Sequence, residues 1–141
     1  MYVDPFGLCW IYSQSTGQLT YVDVYGIATN IGAGYAGYGA GLNNPAMQNV
    51  AGEPPYPAGP LPQGGYTIGP QRDNITLTGK TLTASMRLTP NGPQMFGRAG
   101  FLIHGPHAND KHDSSNGCPI FNRSIRDQIG SSGDNCFQVV P

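Results

Sequence analysis

With 141 residues the chain makes one domain, long enough to bury a core and too short for two. A net charge of −1, with seven basic residues scattered along the sequence, offers no basic patch for nucleic acid, and no apolar run has membrane-spanning length. Only 11% of residues are charged, against 21 Gly and 13 Pro, yet Tyr, Phe, Ile, Leu and Val are spread throughout, which argues against disorder and suits an all-β domain working outside the cytosol.

Tyr2-Val3-Asp4-Pro5-Phe6-Gly7-Leu8 differs in character from the rest of the chain and contains an Asp-Pro-x-Gly turn. Trp10-Ile11-Tyr12 and Leu19 to Val24 flank Ser15-Thr16-Gly17-Gln18, the pattern of a hairpin with a Gly-containing turn. From Gly26 to Pro70 Gly and Pro dominate. Helices are not expected there, because Gly costs about 1 kcal/mol and Pro about 3 kcal/mol in a helix interior. An ordered loop region held by Tyr side chains, forming one wall of a cleft, is the expectation. Strands follow at Gly65–Gly69 and Asn74–Thr78. Thr81 to Leu88 alternates, with Leu82, Ala84, Met86 and Leu88 on one face and Thr81, Thr83, Ser85 and Arg87 on the other, a half-buried strand. After a turn at Thr89-Pro90-Asn91-Gly92-Pro93, a strand is predicted from Phe96 to His104. Asn122 caps a short helix with Ile125 and Ile129 on one face and Gly130 at its end, and Cys136–Val140 is the last strand.

The chemistry-bearing residues lie near the C-terminus. Phe101-Leu102-Ile103-His104-Gly105 puts a histidine at the end of an apolar run, and Gly117-Cys118 begins thirteen residues after His104. A thiol is a weak nucleophile until something lowers its pKa or takes its proton, and an imidazole can do both. The reading is a cysteine-nucleophile acyl-transfer site. With three cysteines one must be left over; a Cys9–Cys136 bridge in an oxidising compartment leaves Cys118 as the free thiol.

Several segments resemble known families. Asp4-Pro5-Phe6-Gly7-Leu8 resembles the motif that closes the conserved core of Rhs-type polymorphic toxins, after which the shell is cut and the toxic cargo begins. The resemblance implies residues 1–8 as the tail of an Rhs core and 9–141 as the catalytic domain, released from a larger protein, which accounts for a missing export signal. Gly59-Pro60-Leu61-Pro62-Gln63-Gly64-Gly65-Tyr66, Phe96–Gly105 and Ser115-Asn116-Gly117-Cys118 are similar, in order, to the motifs of L,D-transpeptidase-like domains, above all those secreted by type VI systems into rival bacteria. Asn116 stands where larger L,D-transpeptidases carry His, and Ile120 where a polar or basic residue is common.

The resemblance implies a mainly β fold, an L,D-transpeptidase-like β-sandwich or mixed sheet with one short helix after the cysteine and long Gly/Pro-rich loops. It implies a secreted antibacterial enzyme acting in the periplasm of target bacteria on peptidoglycan tetrapeptide stems, as an L,D-carboxypeptidase, transpeptidase or D-amino-acid exchanger. No cofactor or metal is expected; the partners are the stem, a cognate immunity protein and the Rhs shell before release, with no nucleic acid and no membrane span. Cys118 is the nucleophile, His104 the base and then acid, Gly117 with Cys118 the oxyanion donor through backbone N–H, and Ser115 an aid to the histidine or stem. Arg98, Gly105, Asn116 and Tyr66 are assigned to substrate contacts. Two alternatives stay open: a non-enzymatic wall-binding β domain, and a metal-dependent hydrolase built from His104, His107, Asp110, His112, Asp113 and Cys118. A zinc deaminase is disfavoured, because neither His-x-Glu nor Cys-x-x-Cys is present; no carboxylate pair suits a glycosidase, and a papain-like order would put cysteine before histidine.

Overall fold

The computed structural model describes residues 8–53, 55–93, 95–112 and 114–141. Asp4–Gly7 of the junction motif, and Asp113 of the metal alternative, lie outside the described residues. The fold is mainly β, one curled mixed sheet with a single α-helix among the described residues. Its strands are β1 (Cys9–Ser13), β2 (Gln18–Val22), β3 (Ala28–Ala33), β4 (Gly64–Ile68), β5 (Arg72–Ile75), β6 (Thr81–Pro90), β7 (Leu102–Ile103) and β8 (Cys136–Val140). The order across the sheet is β3-β2-β1-β8-β4-β6-β5, with β7 also paired to β6.

The β1–β2 hairpin forms where the sequence places it. Gly17 closes the turn at φ +72, its N–H reaching Ser13 O at 2.8 Å, and a Cβ there would strike the Gly34 carbonyl. β1 then pairs in parallel with β8, Trp10 opposite Phe137, and this register sets Cys9 beside Cys136, to which it is disulfide-bonded. The core between sheet and helix is filled by Tyr12, Leu19, Leu61, Tyr66, Met86, Ile103, Phe121 and Phe137. Burial of each such side chain stabilises by about 1.5–3 kcal/mol before the entropy of ordering it. The helix α1 (Arg123–Ser131) starts at Asn122, whose side chain accepts the Ile125 N–H at 2.9 Å, and lays Ile125 and Ile129 against the core.

Four local expectations shift. β3 lies inside the stretch read as loop; its residues are mostly exposed and it forms by antiparallel pairing with β2, a signal that pattern alone does not carry. The same stretch also holds two 3-10 turns, Gly39–Gly41 and Pro45–Met47. The strand expected over Phe96–His104 shortens to Leu102–Ile103, because Phe96, Gly97 and Gly100 have φ values of +52, +74 and +80, a turn geometry. Gly130 does not end α1, which runs on to Ser131; a Cβ at Gly130 would meet the Gln71 side chain. In β6 the alternation breaks at Ala84, φ +49, opposite a register shift in β5; Ser85 is thereby buried and hydrogen-bonded by Asn74 at 2.9 Å.

Candidate active site

The residue after β7 leaves the pairing with β6 and makes an isolated bridge instead. His104 forms a parallel bridge with Ile120, its N–H given to Pro119 O at 3.3 Å and its carbonyl accepting Phe121 N–H at 3.0 Å. In that register Cys118 faces Leu102, and the Leu102 N–H points at the Cys118 sulfur at 3.4 Å. His104 and Cys118 are thus diagonal neighbours on adjacent extended segments, a relation that spans roughly 7–8 Å between backbones and that longer side chains bridge.

The imidazole is 8% exposed. Its Nδ1 faces the Gly105 carbonyl at 3.0 Å, which assigns the Nδ1–H tautomer and leaves Nε2 as the basic nitrogen. Burial holds the His104 pKa below its ordinary value, the charges of Lys80 and Arg126 push the same way, and the Gly105 carbonyl opposes them. Cys118 is a free, half-buried thiol whose pKa is raised by burial and pulled back in part by the Leu102 N–H and the Arg98 charge. The resting pair is therefore a neutral thiol and a neutral imidazole, suited to general-base activation rather than to a standing thiolate–imidazolium ion pair.

The turn that carries the thiol is braced by side chains. Ser115, 1% exposed, donates from Oγ to Cys118 O at 2.6 Å and accepts the N–H groups of Gly37 at 3.0 Å and Gly117 at 2.9 Å. Its bonds go to the turn and to Gly37, so the structure gives it the role of a positioning residue. Because the Gly117 N–H is engaged by Ser115, the backbone donor left beside the sulfur is that of Cys118 itself. Gly117 has φ +130, and a Cβ there would collide with the Arg98 guanidinium and come within 2.9 Å of Phe101.

Arg98 is 7% exposed. Its Nη1 donates to Gln48 O at 2.7 Å and Pro60 O at 2.8 Å, and its Nη2 to Gly59 O at 3.0 Å and Asn116 O at 3.1 Å. The guanidinium, expected to meet a substrate carboxylate, ties the long Gly/Pro-rich loop to the nucleophile turn. Tyr66, expected on the substrate side, is 2% exposed, and its hydroxyl donates to Pro62 O at 2.7 Å within the core. Asn116 is exposed, and Gly105 lies against the Arg126 guanidinium.

The long loop does wall the site. Tyr35 bridges Ile120 and sends its hydroxyl to Asp110 at 2.7 Å; Ser114 N–H returns to that hydroxyl at 3.1 Å, and burial pushes the Tyr35 pKa up to about 12. The His112 ring lies tilted against the Tyr35 ring with centroids 4.7 Å apart, and His107 Nδ1 faces Ala108 O at 2.7 Å. No group of three His, Cys, Asp or Glu among the described residues is arranged to hold a metal ion.

Three cavities lie in this region; His104 lines the first, and Cys118 lines none of them. One of about 180 Å3 is bounded by Lys80, Thr83, His104, Gly105, Ser114 and Arg126. A second of about 580 Å3 runs under the β5–β6 hairpin past Arg87 and Leu102, and a third of about 420 Å3 lies over Arg98, Phe101 and Asn116. The first and second share Leu82 as a lining residue, and the second and third share Glu53 and Ala99. Lys80, Glu53, Arg87 and Arg126 lie outside the motif segments, so the sequence did not mark them as lining these cavities; a charged residue between Ile125 and Ile129 on a helix was a hint only for Arg126, which is 8% exposed.

A family model described as the Tlde1 domain matches residues 30–135, about three-quarters of the chain, from β3 through α1. No curated protein and no solved structure matches the chain.

Proposed function

The chain belongs to the Tlde1 domain family and is a type VI secretion effector domain, a secreted antibacterial toxin; from that premise we propose that it is a cysteine acyl-transferase acting at the L,D bond of peptidoglycan tetrapeptide stems. The observation that carries this reading is the His104–Ile120 bridge, whose register sets the free thiol of Cys118 diagonal to a buried His104 whose Nδ1 is held by Gly105.

In the proposed reaction, His104 Nε2 takes the proton of the Cys118 thiol as the sulfur attacks the carbonyl of the third stem residue. The Leu102 N–H steadies the thiolate, and the Cys118 N–H is the backbone donor nearest the developing oxyanion. The C–N bond to the terminal D-alanine then breaks, and the proton on His104 passes to the departing amine. Water completes a carboxypeptidase cycle by attacking the thioester. An amine in its place completes transpeptidation or D-amino-acid exchange, and in either case His104 removes the attacking group's proton and returns it to the sulfur. With both partners neutral at rest, the thiol proton passes to His104 Nε2 as the sulfur attacks, with no standing thiolate beforehand.

The same reading takes the Asp4–Leu8 junction as the end of an Rhs shell, the periplasm of the target cell as the place of action and an immunity protein as the partner that protects the producer. Its test is to incubate the domain with purified tetrapeptide muropeptides, with and without D-amino acids, and identify the products by mass. Loss of D-alanine or its exchange is expected, and Cys118→Ala should abolish both with unchanged melting. The same variant should be harmless when exported to the periplasm. Processing that survived loss of the thiol would sink the acyl-transfer reading in favour of wall binding or another chemistry.

A further inference from the structure

The smallest of the three cavities has a charge character that the reaction alone does not require. Lys80 on the β5–β6 hairpin and Arg126 on α1, far apart in sequence, bound the same space as His104, and no carboxylate among the described residues lines it. Asp110, on the adjoining loop, is engaged by the hydroxyls of Tyr35 at 2.7 Å and Ser114 at 2.8 Å. Arg126 is fixed by its Nε to Phe121 O at 3.1 Å and its Nη1 to Thr83 O at 2.6 Å, which turns Nη2 toward Gly105. The missing side chain of Gly105 is what admits it; a Cβ there would sit 2.5 Å from Nη2. The guanidinium therefore lies against the residue whose carbonyl orients the catalytic imidazole.

We propose that this cavity is a carboxylate subsite, taking the free α-carboxylate of the D-amino acid that leaves the stem and of the one that enters on exchange. The proposal rests on the acyl-transfer reading above and assigns the residues that select the group being transferred. The geometry follows from covalent structure: the departing amine must reach His104 to be protonated, and its carboxylate carbon lies only about 2.5 Å from that nitrogen across two bonds. A carboxylate so placed falls beside the imidazole, where Lys80 and Arg126 meet. At about 180 Å3 the cavity is below the roughly 300–1,000 Å3 of pockets for larger ligands, the size for one small residue. A fixed guanidinium and a mobile ammonium would recognise the carboxylate by charge-assisted hydrogen bonds.

The test compares a tetrapeptide stem with its C-terminal amide, which differs only in that charge. Wild type is expected to favour the free acid in kcat/KM by about tenfold or more, the scale of one charge-assisted contact. Lys80→Gln, at an exposed position, should shrink that ratio, and Lys80→Glu should shrink it further. An NMR titration of the wild type with D-alanine and with D-alaninamide reads the subsite without turnover; only the acid should shift the amides of Thr81, Thr83 and Gly105. Equal use of both stems, or a ratio unmoved by either Lys80 variant, overturns the subsite and leaves the acyl-transfer reading standing. If neither stem is processed, that reading falls, and the titration decides the subsite alone: shifts with the acid only uphold a carboxylate site, and none, or equal ones with the amide, remove it.

Discussion

The sheet and the nucleophile turn are held by different means. Around β1, β4, β6 and β8 the backbone carries its own ladders, and side chains need only be apolar and of fitting size. Around Cys118 there are two isolated bridges, from Tyr35 and His104 to Ile120, and then a set of buried polar side chains, Ser115 and Arg98, that replace ladders with single bonds to chosen carbonyls and N–H groups. The sheet tolerates conservative change because its bonds do not depend on side-chain identity. The turn does not, because each brace is one residue whose loss strands several backbone groups. Catalytic precision here is bought with polar side chains where secondary structure is missing.

Breaking the turn side should have the largest effect. Arg98→Met keeps bulk but strands the carbonyls of Gln48, Gly59, Pro60 and Asn116, each unmet buried acceptor costing about 1–3 kcal/mol. Melting should fall on the order of 10 °C or more, and muropeptide turnover should vanish even in the fraction still folded at low temperature. Turnover at wild-type rate in that folded fraction would mean the turn holds itself.

On the sheet side, the pair Cys9→Ser and Cys136→Ser removes a link across a sequence separation of 127, for which about 2–5 kcal/mol is expected. Melting should drop to the value of wild type under reductant, while kcat of the folded protein stays unchanged, because no ladder near Cys118 passes through the bridge. A parallel loss of kcat would show that the two regions are coupled and would undo the contrast.

Ser115→Ala is the mildest and most discriminating. It deletes one hydroxyl, costing about 1–3 kcal/mol, but frees the Cys118 carbonyl and the Gly37 and Gly117 N–H groups that define the thiol's position. A fall in kcat on the order of 10–100-fold with little change in KM, partly restored by Ser115→Thr, is the expected outcome. A change in KM alone would instead make Ser115 a stem contact.

This contrast also explains how much was legible in the sequence. The hairpin at Gly17, the existence of strand β6 though not its break at Ala84, the Asn122 cap and the final strand were readable because period and turn chemistry act locally. His104 and Cys118 were readable as types in a motif. Tertiary pairing creates the part that stayed hidden: β3, which exists by bonding to β2, and the carbonyl partners of Arg98, 38 to 50 residues away on one side and 18 on the other. Arg98 and Tyr66 read as substrate contacts because polar residues near a motif invite that role, whereas burial turned the guanidinium and the phenol inward. Lys80 and Arg126 come to line one cavity only through the tertiary packing of α1 against β6.

The bond between Cys9 and Cys136 makes a covalent ring of every residue from 9 to 136, and each atom assigned to chemistry lies inside it. A single backbone cut within that ring opens it without releasing a fragment, so a protease must cut twice to discard any part of the site. The oxidised chain also cannot be drawn out into a single thread. Any passage that requires an extended polypeptide must therefore come before the two sulfurs join.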